Sequence, residues 1–267
     1  MVETDPGTRR LALLIDADNV RASFLPIIIR EASAIGTITI RRVYGHFASA
    51  SMTQWQKVLH EHALTPVHVP PASRGKNATD MKLAIEAMDL LHQKDLAGIC
   101  IASSDSDFTA LASRIREDGV MVYGFGESKT TAPYVAACDR FFYCDILLER
   151  QDEDLLDDVP KPRPEKAERK KKTEAKASQK PGPPIAEILS AVEDASGDDG
   201  WARLGTVGQM MIKRMPDFDP RNYGYRKLSD LMGAVAEIEQ RRSEVEGGGT
   251  ILQVRRRRAP VKRGAAA

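Results

Sequence analysis

Cysteine is scarce in this chain of 267 residues: there are three, Cys100, Cys138 and Cys144. They are too few and too unevenly spaced for a disulfide framework. No CxxC pair occurs, which argues against a zinc ribbon or finger. No run of about 18 apolar residues exists, so the sequence holds no candidate membrane span. The start, Met1-Val-Glu-Thr-Asp-Pro-Gly, is acidic and has no long apolar stretch behind it, so no secretory signal is expected. Excess charge of one sign is also missing. Lys and Arg number 39 against 38 Asp and Glu, a net charge of +1. That balance excludes a uniformly basic protein and leaves local basic patches open. A protein of a reducing, cytoplasmic compartment with no membrane association is expected.

The hydrophobic fraction of 42% and the charged fraction of 29% allow a core but point to a polar, coreless stretch. Residues 152–158 hold five acids and no base, and residues 160–184 mix Pro, Lys, Arg, Glu, Ala and Ser. Too few side chains there can bury apolar area to offset the entropy of ordering. The expected organisation is an N-terminal tail over 1–9, a folded part over 10–147, a disordered charged linker over 148–183, a second folded part over 184–255 and a basic tail over 256–267.

Continuous apolar runs mark the first part. Leu11–Ile15, Thr37–Tyr44, Pro66–Val69, Gly98–Ala102, Val120–Tyr123 and Phe141–Ile146 read as strands, the continuous runs suiting burial on both faces. Helical stripes lie between them, one of Met81, Ala84, Ile85, Met88 and Leu91, another of Phe108, Leu111, Ala112 and Ile115. Such alternation predicts an α/β fold, a parallel sheet with helices on both faces. The second part differs. Stripes begin at Ile185, Leu204 and Leu228, and two short strands, Ala236–Arg241 and Thr250–Val254, flank Gly247-Gly-Gly249. Three helices and a glycine-turned hairpin describe a small winged helix-turn-helix.

Open α/β sheets bind ligands beyond the carboxyl ends of their strands, so carboxylates at those ends matter most. The first strand ends in Asp16-Ala-Asp18-Asn19. The strand over 98–102 ends in Ser103-Ser104-Asp105-Ser106-Asp107-Phe108. Lys76-Asn-Ala-Thr-Asp80 opens the helix that follows. Each piece alone also reads as ordinary turn and capping chemistry. Together they form an acidic set, and clustered carboxylates repel unless a cation neutralises them. Oxygen-only ligands suit Mg²⁺ or Mn²⁺, which can activate water and stabilise charge on a phosphate.

Asp16-x-x-Asn19, Lys76-x-x-x-Asp80 and Ser103-x-Asp105-x-Asp107-Phe108 resemble the NYN domain, of the PIN-like metal-dependent nucleases, over about residues 10–147. The resemblance implies a PIN-like, Rossmann-like sheet and hydrolysis of RNA phosphodiesters with Mg²⁺ or Mn²⁺. It makes Asp16, Asp80, Asp105 and Asp107 the catalytic, metal-binding acids, with Asn19 and Ser103 supporting the site. The second part resembles the OST-HTH (LOTUS) domain through Trp201-x-x-Leu204-x-x-Val207-Gly208 and Asp219-Pro-Arg-Asn-Tyr223-Gly-Tyr225-x-Lys227-Leu228. That resemblance implies RNA binding and a possible protein partner.

Arg221, Tyr223, Tyr225, Arg226 and Lys227 combine stacking surfaces with phosphate-binding cations, although either tyrosine could instead pack the small core. Arg74 and Lys76 are candidates to hold RNA phosphates near the acidic site, and Ser49 and Ser51 to rim it. His60 and His62, two apart, do not share a helix face. Gly124-x-Gly126 before Lys129 lacks the spacing of a phosphate-binding loop. Two other functions stay open: a noncatalytic RNA-binding adaptor, and a haloacid-dehalogenase-type phosphatase suggested by Asp16-x-Asp18.

Overall fold

The computed structural model describes residues 9–70, 77–93, 95–157, 182–245 and 249–257. Arg74 and Lys76 lie outside the described residues, as does most of the expected linker.

The chain divides into two compact units. In the first, strand β1 (Arg10–Asp16) leads to helix α1 (Leu25–Ile35), β2 (Thr37–Gly45), α2 (Thr53–Leu59), β3 (Thr65–His68) and α3 (Ala78–Gln93). Then follow β4 (Gly98–Ala102), α4 (Phe108–Glu117), β5 (Met121–Gly126), α5 (Ala132–Ala137), β6 (Arg140–Tyr143) and α6 (Cys144–Asp157). The strands form one sheet in the order β3-β2-β1-β4-β5-β6, and every neighbouring pair is parallel. The α/β fold expected from the apolar runs is the fold found.

Strand geometry explains the layering. Side chains alternate faces with period two, so Leu11, Leu13 and Ile15 of β1 enter one core while Ala12 and Leu14 enter the other. The first core is covered by Leu25, Ile27 and Ile28 of α1, Trp55 and Leu59 of α2 and Leu147 of α6. The second is covered by Leu83, Ala87 and Leu90 of α3, Phe108, Leu111 and Ile115 of α4, and Tyr134 of α5. The strand order turns back at β1 and β4, which are hydrogen-bonded neighbours. A crevice opens at the carboxyl ends of two strands whose connections leave in opposite directions.

Two elements differ from expectation. The apolar run Phe141–Ile146 is not one strand: β6 stops at Tyr143 and α6 begins at Cys144. Helix α6 also continues to Asp157, so residues 148–157 are helical where the linker was expected to begin. Leu147 and Leu148 pack against the first core, which anchors that helix despite its acidic end.

Gly124 and Gly126 have a packing role. A Cβ on Gly124 would lie 2.4 Å from Phe141 Cδ2 and 2.8 Å from Cys138 Sγ; one on Gly126 would lie 3.0 Å from the Ser103 carbonyl oxygen. The pair lets β5 lie close to β6 and to the chain leaving β4, without any phosphate.

In the second unit, helix α7 (Ile185–Asp194), strand β7 (Ala202–Arg203), helices α8 (Leu204–Arg214) and α9 (Leu228–Ala234) and strands β8 (Ile238–Val245) and β9 (Gly249–Arg256) follow in order. The antiparallel sheet runs β7-β9-β8. Ile188, Val192, Val207, Met211, Leu231 and Val254 are fully buried, so three amphipathic helices and one sheet face share a core. The short β7 makes a third strand, absent from the two-stranded hairpin expected. The Trp201 ring is flanked by the guanidinium groups of Arg241 at 4.1 Å and Arg255 at 4.4 Å. Asp199 pairs with Arg241 and Glu239 with Arg255, each at 2.8 Å, which fixes the wing against the residue before β7.

Gly124→Ala is expected to destabilise the chain by about 1–3 kcal/mol, the usual cost of overpacking. Chemical denaturation measures it, through a lower midpoint at an unchanged slope.

Candidate metal centre

Residues from three segments meet at the carboxyl edge of the sheet. Asp16 is the last residue of β1. The Ala17 N–H donates to the Tyr44 carbonyl at 2.9 Å, and the Val20 N–H turns back to the Asp16 carbonyl at 3.0 Å. After β4, the Ser103 N–H donates to the Phe125 carbonyl at 2.9 Å, which ties the departing chain to β5. Two side-chain turns shape the next four residues. The Asp105 N–H donates to Ser103 Oγ at 3.1 Å and the Asp107 N–H to Asp105 Oδ1 at 2.9 Å. Asp107 precedes α4 without a side-chain cap bond of its own, so the turn chemistry its residues allow is carried by Ser103 and Asp105. Asp80 sits in the first turn of α3.

The outcome is a carboxylate group. One oxygen from each of Asp80, Asp105 and Asp107 lies within 4.8 Å of the others. Asp80 and Asp105 are half-buried and Asp107 is exposed. Among the described residues none of the three, nor Asp16 or Asp18, forms a salt bridge. Asn77 Nδ2 donates to Asp107 at 2.7 Å and Thr79 Oγ1 to Asp18 at 2.7 Å, so the start of α3 is stitched to both acidic loops.

Asp16 is not part of that three-carboxylate group. It is fully buried and accepts from Asn19 Nδ2 at 2.7 Å, Ser103 Oγ at 2.9 Å and the Asp18 N–H at 3.1 Å. Those bonds use three of about four lone-pair sites on a carboxylate. Asn19 and Ser103, read as supporting residues, both touch Asp16. Burial raises the Asp16 pKa, against the lowering effect of the Asn19 and Ser103 hydrogen bonds. Asp80 is shifted in the same sense: burial first, then the charges of Asp16, Asp105, Asp107 and Asp18, push its pKa up to about 6.

An ion suits this donor set. The ligands are all oxygens, as Mg²⁺ and Mn²⁺ prefer. The mutual repulsion that lifts the Asp80 pKa is also what a divalent cation removes. Asp18, Asn77 and Thr79 were not among the expected site residues, although all three lie inside the two motifs. Tyr134 has a buried hydroxyl with no hydrogen-bond partner among the described residues.

In the second unit Asp219 caps a short 3-10 turn over Pro220–Tyr223. Asp219 also holds Arg221 through two hydrogen bonds, at 2.9 and 2.8 Å, so the Arg221 guanidinium carries its own counter-ion. Tyr223 is half-buried, its ring 6.0 Å from that of Phe218. Tyr225 is half-buried as well, and Arg226 and Lys227 are exposed.

The model of the NYN domain matches residues 10–149. This chain belongs to the NYN domain family. NYN domains are part of the PIN-like nuclease superfamily, and the acidic group lies inside the matched region. The model of the OST-HTH/LOTUS domain matches residues 180–248, so an NYN domain is followed by an OST-HTH domain. Among solved structures, a protein of unknown function from Vibrio parahaemolyticus is 17% identical and covers 53% of this chain and 96% of its own, with a TM-score of 0.45. An uncharacterised protein from Nitrosomonas europaea is 35% identical over 35% of this chain and 94% of its own, with a TM-score of 0.28. A Chromobacterium violaceum protein is 28% identical over 33% of this chain and 94% of its own, with a TM-score of 0.26. No curated protein matches this chain. Among the described residues no helix is long and apolar enough to cross a membrane.

Cation binding is expected to register as stability. Between about pH 4 and pH 6 Asp80 is protonated more in the folded NYN domain than in the unfolded chain because its pKa is raised. The Asp80 contribution to stability without metal therefore falls as pH rises through that window. At about pH 7, Mn²⁺ at about 100 times its Kd should add about 2.7 kcal/mol, several degrees in Tm. Asp80→Asn should raise the metal-free Tm and abolish the Mn²⁺ shift. Thermal melts with Mn²⁺ or EDTA, at about pH 5 and about pH 7.5, check both, with the smaller Mn²⁺ shift expected at the lower pH.

Proposed function

We propose that this protein is a metal-dependent ribonuclease whose OST-HTH domain adds RNA affinity. The observation that carries this reading is the group of Asp80, Asp105 and Asp107 at the carboxyl edge of an NYN sheet, within 4.8 Å of one another and, among the described residues, in no salt bridge. Holding such a group together costs stability, and the arrangement makes sense if the protein uses it.

Asp80, Asp105 and Asp107 would hold Mg²⁺ or Mn²⁺. When bound, the ion lowers the pKa of a water and neutralises charge on a phosphodiester. The protein's own groups supply placement. Ser103 and Asp105 fix the loop after β4 through the two turns that begin at their side chains. Asn77 orients Asp107, and Thr79 ties Asp18 to α3. Asp16, held by Asn19 and Ser103, supplies a buried negative charge beside Asp80. Arg74 and Lys76, which precede α3, are proposed to hold the RNA backbone on either side of the cleaved bond. In the OST-HTH domain, Arg226 and Lys227 are proposed to act on phosphates and Tyr223 and Tyr225 to present partial ring faces. Arg221 contributes less, because Asp219 neutralises it. A protein partner of the OST-HTH domain and a cytoplasmic site of action complete the proposal. NYN membership argues against the phosphatase alternative.

Asp105→Asn tests the chemistry. Asn is nearly isosteric, and Asp105 Oδ1 accepts the Asp107 N–H, a bond an amide oxygen can keep. The fold should survive while cleavage of labelled single-stranded RNA falls by on the order of a thousandfold. Gel assays with Mg²⁺, Mn²⁺ or EDTA read the outcome. RNA binding without metal-dependent cleavage by the wild-type chain would favour a noncatalytic adaptor.

A further inference from the structure

A cavity of about 360 Å³ opens beside the acidic group, between the loop after β1 and the start of α2. Its apolar wall is Val20, Met52 and Trp55, all buried. Its rim is polar and exposed, made of Arg21, Ser23, Ser51 and Gln54. Asp18 also lines it and accepts the Thr79 hydroxyl at 2.7 Å. Thr79 is the residue before Asp80, so the cavity borders the metal-binding group without containing it.

We propose that this cavity receives one unstacked nucleotide of single-stranded RNA, next to the phosphodiester that is cut. The inference rests on the nuclease reading and adds a subsite to it. Three features select that occupant. The volume is at the small end of ligand pockets and suits one nucleotide rather than a helix. The wall offers an unstacked base the apolar edges of Val20, Met52 and Trp55 that reach the cavity. The rim offers what a nucleotide edge needs. The Gln54 amide, which both donates and accepts, makes no hydrogen bond among the described residues.

Arg21 is held in place at the rim. Its guanidinium lies 4.2 Å over the Phe24 ring and 3.5 Å from Glu127. Glu127 is in turn fixed by its N–H bond to Ser104 Oγ at 2.9 Å. The side chain remains 59% exposed, leaving its outer N–H groups to a phosphate. The Trp55 indole N–H is spent on the Val20 carbonyl at 3.2 Å, so the ring serves as wall and leaves hydrogen bonding to the rim. A base paired in a duplex cannot enter, and single-stranded substrate is therefore selected.

Photocrosslinking tests the cavity separately from cleavage. The full-length wild-type chain in EDTA, which cannot cut, is irradiated with single-stranded RNA carrying 5-iodouridine or 8-azidoadenosine. Crosslinks on Met52 or Trp55 are expected, and Ser51→Trp, which fills the mouth, should reduce them about tenfold or more. With Mn²⁺, Ser51→Trp and Gln54→Ala should raise KM about tenfold while the Mn²⁺ thermal shift stays as in the wild type. Crosslinks confined to other residues, or a Ser51→Trp chain that folds and cuts normally, overturn the inference. Crosslinks at Met52 or Trp55 in a chain that never cuts RNA would keep the cavity and defeat the nuclease reading alone.

Discussion

Repulsion among carboxylates is the constraint around which the NYN domain is arranged. A parallel sheet whose order turns back at β1 and β4 leaves a crevice at their carboxyl ends, and the chain lines it with Asp16, Asp18, Asp80, Asp105 and Asp107. The side-chain turns at Ser103 and Asp105 and the Asn77 and Thr79 bonds are local devices that hold these groups together against their charge. Their common effect is seen in Asp80, which burial and four neighbouring acids raise to about 6. Such tension is a stability cost that a bound cation would relieve.

The division of labour among the acids follows from burial. Asp80, Asp105 and Asp107 remain reachable, and their oxygens form a compact group. Asp16 is sealed and hydrogen-bonded three ways. Motif spacing treats all four alike; the depth of β1 in the sheet separates them. In the OST-HTH domain the same logic of local neutralisation applies to Arg221, which Asp219 holds at 2.8 Å, while Arg226 and Lys227 stay at the surface.

Much of this was legible in the sequence because it is local. Continuous apolar runs mark strands buried on both faces, and Asp16, Asp18, Asp105 and Asp107 follow two of those runs within one to five residues, so β1, β4 and their acidic loops could be read directly. What escaped was non-local or masked. In α1 the run Ile27-Ile-Ile29 hides the helical period, and only its packing into the first core makes it a helix. The apolar run after Arg140 conceals the switch from β6 to α6, because both elements feed buried side chains to the sheet. The glycines of β5 resemble loop chemistry until the rings they face are known. The cavity wall joins Val20 to Trp55 across 35 residues through a single indole bond, which no spacing rule reveals.

The most direct measurement is diffraction from crystals soaked in Mn²⁺, with anomalous data collected at the manganese edge. The account predicts a strong anomalous peak among the carboxylates of Asp80, Asp105 and Asp107, lost in Asp80→Asn crystals. A peak elsewhere only, or no peak with these carboxylates splayed apart, would contradict it.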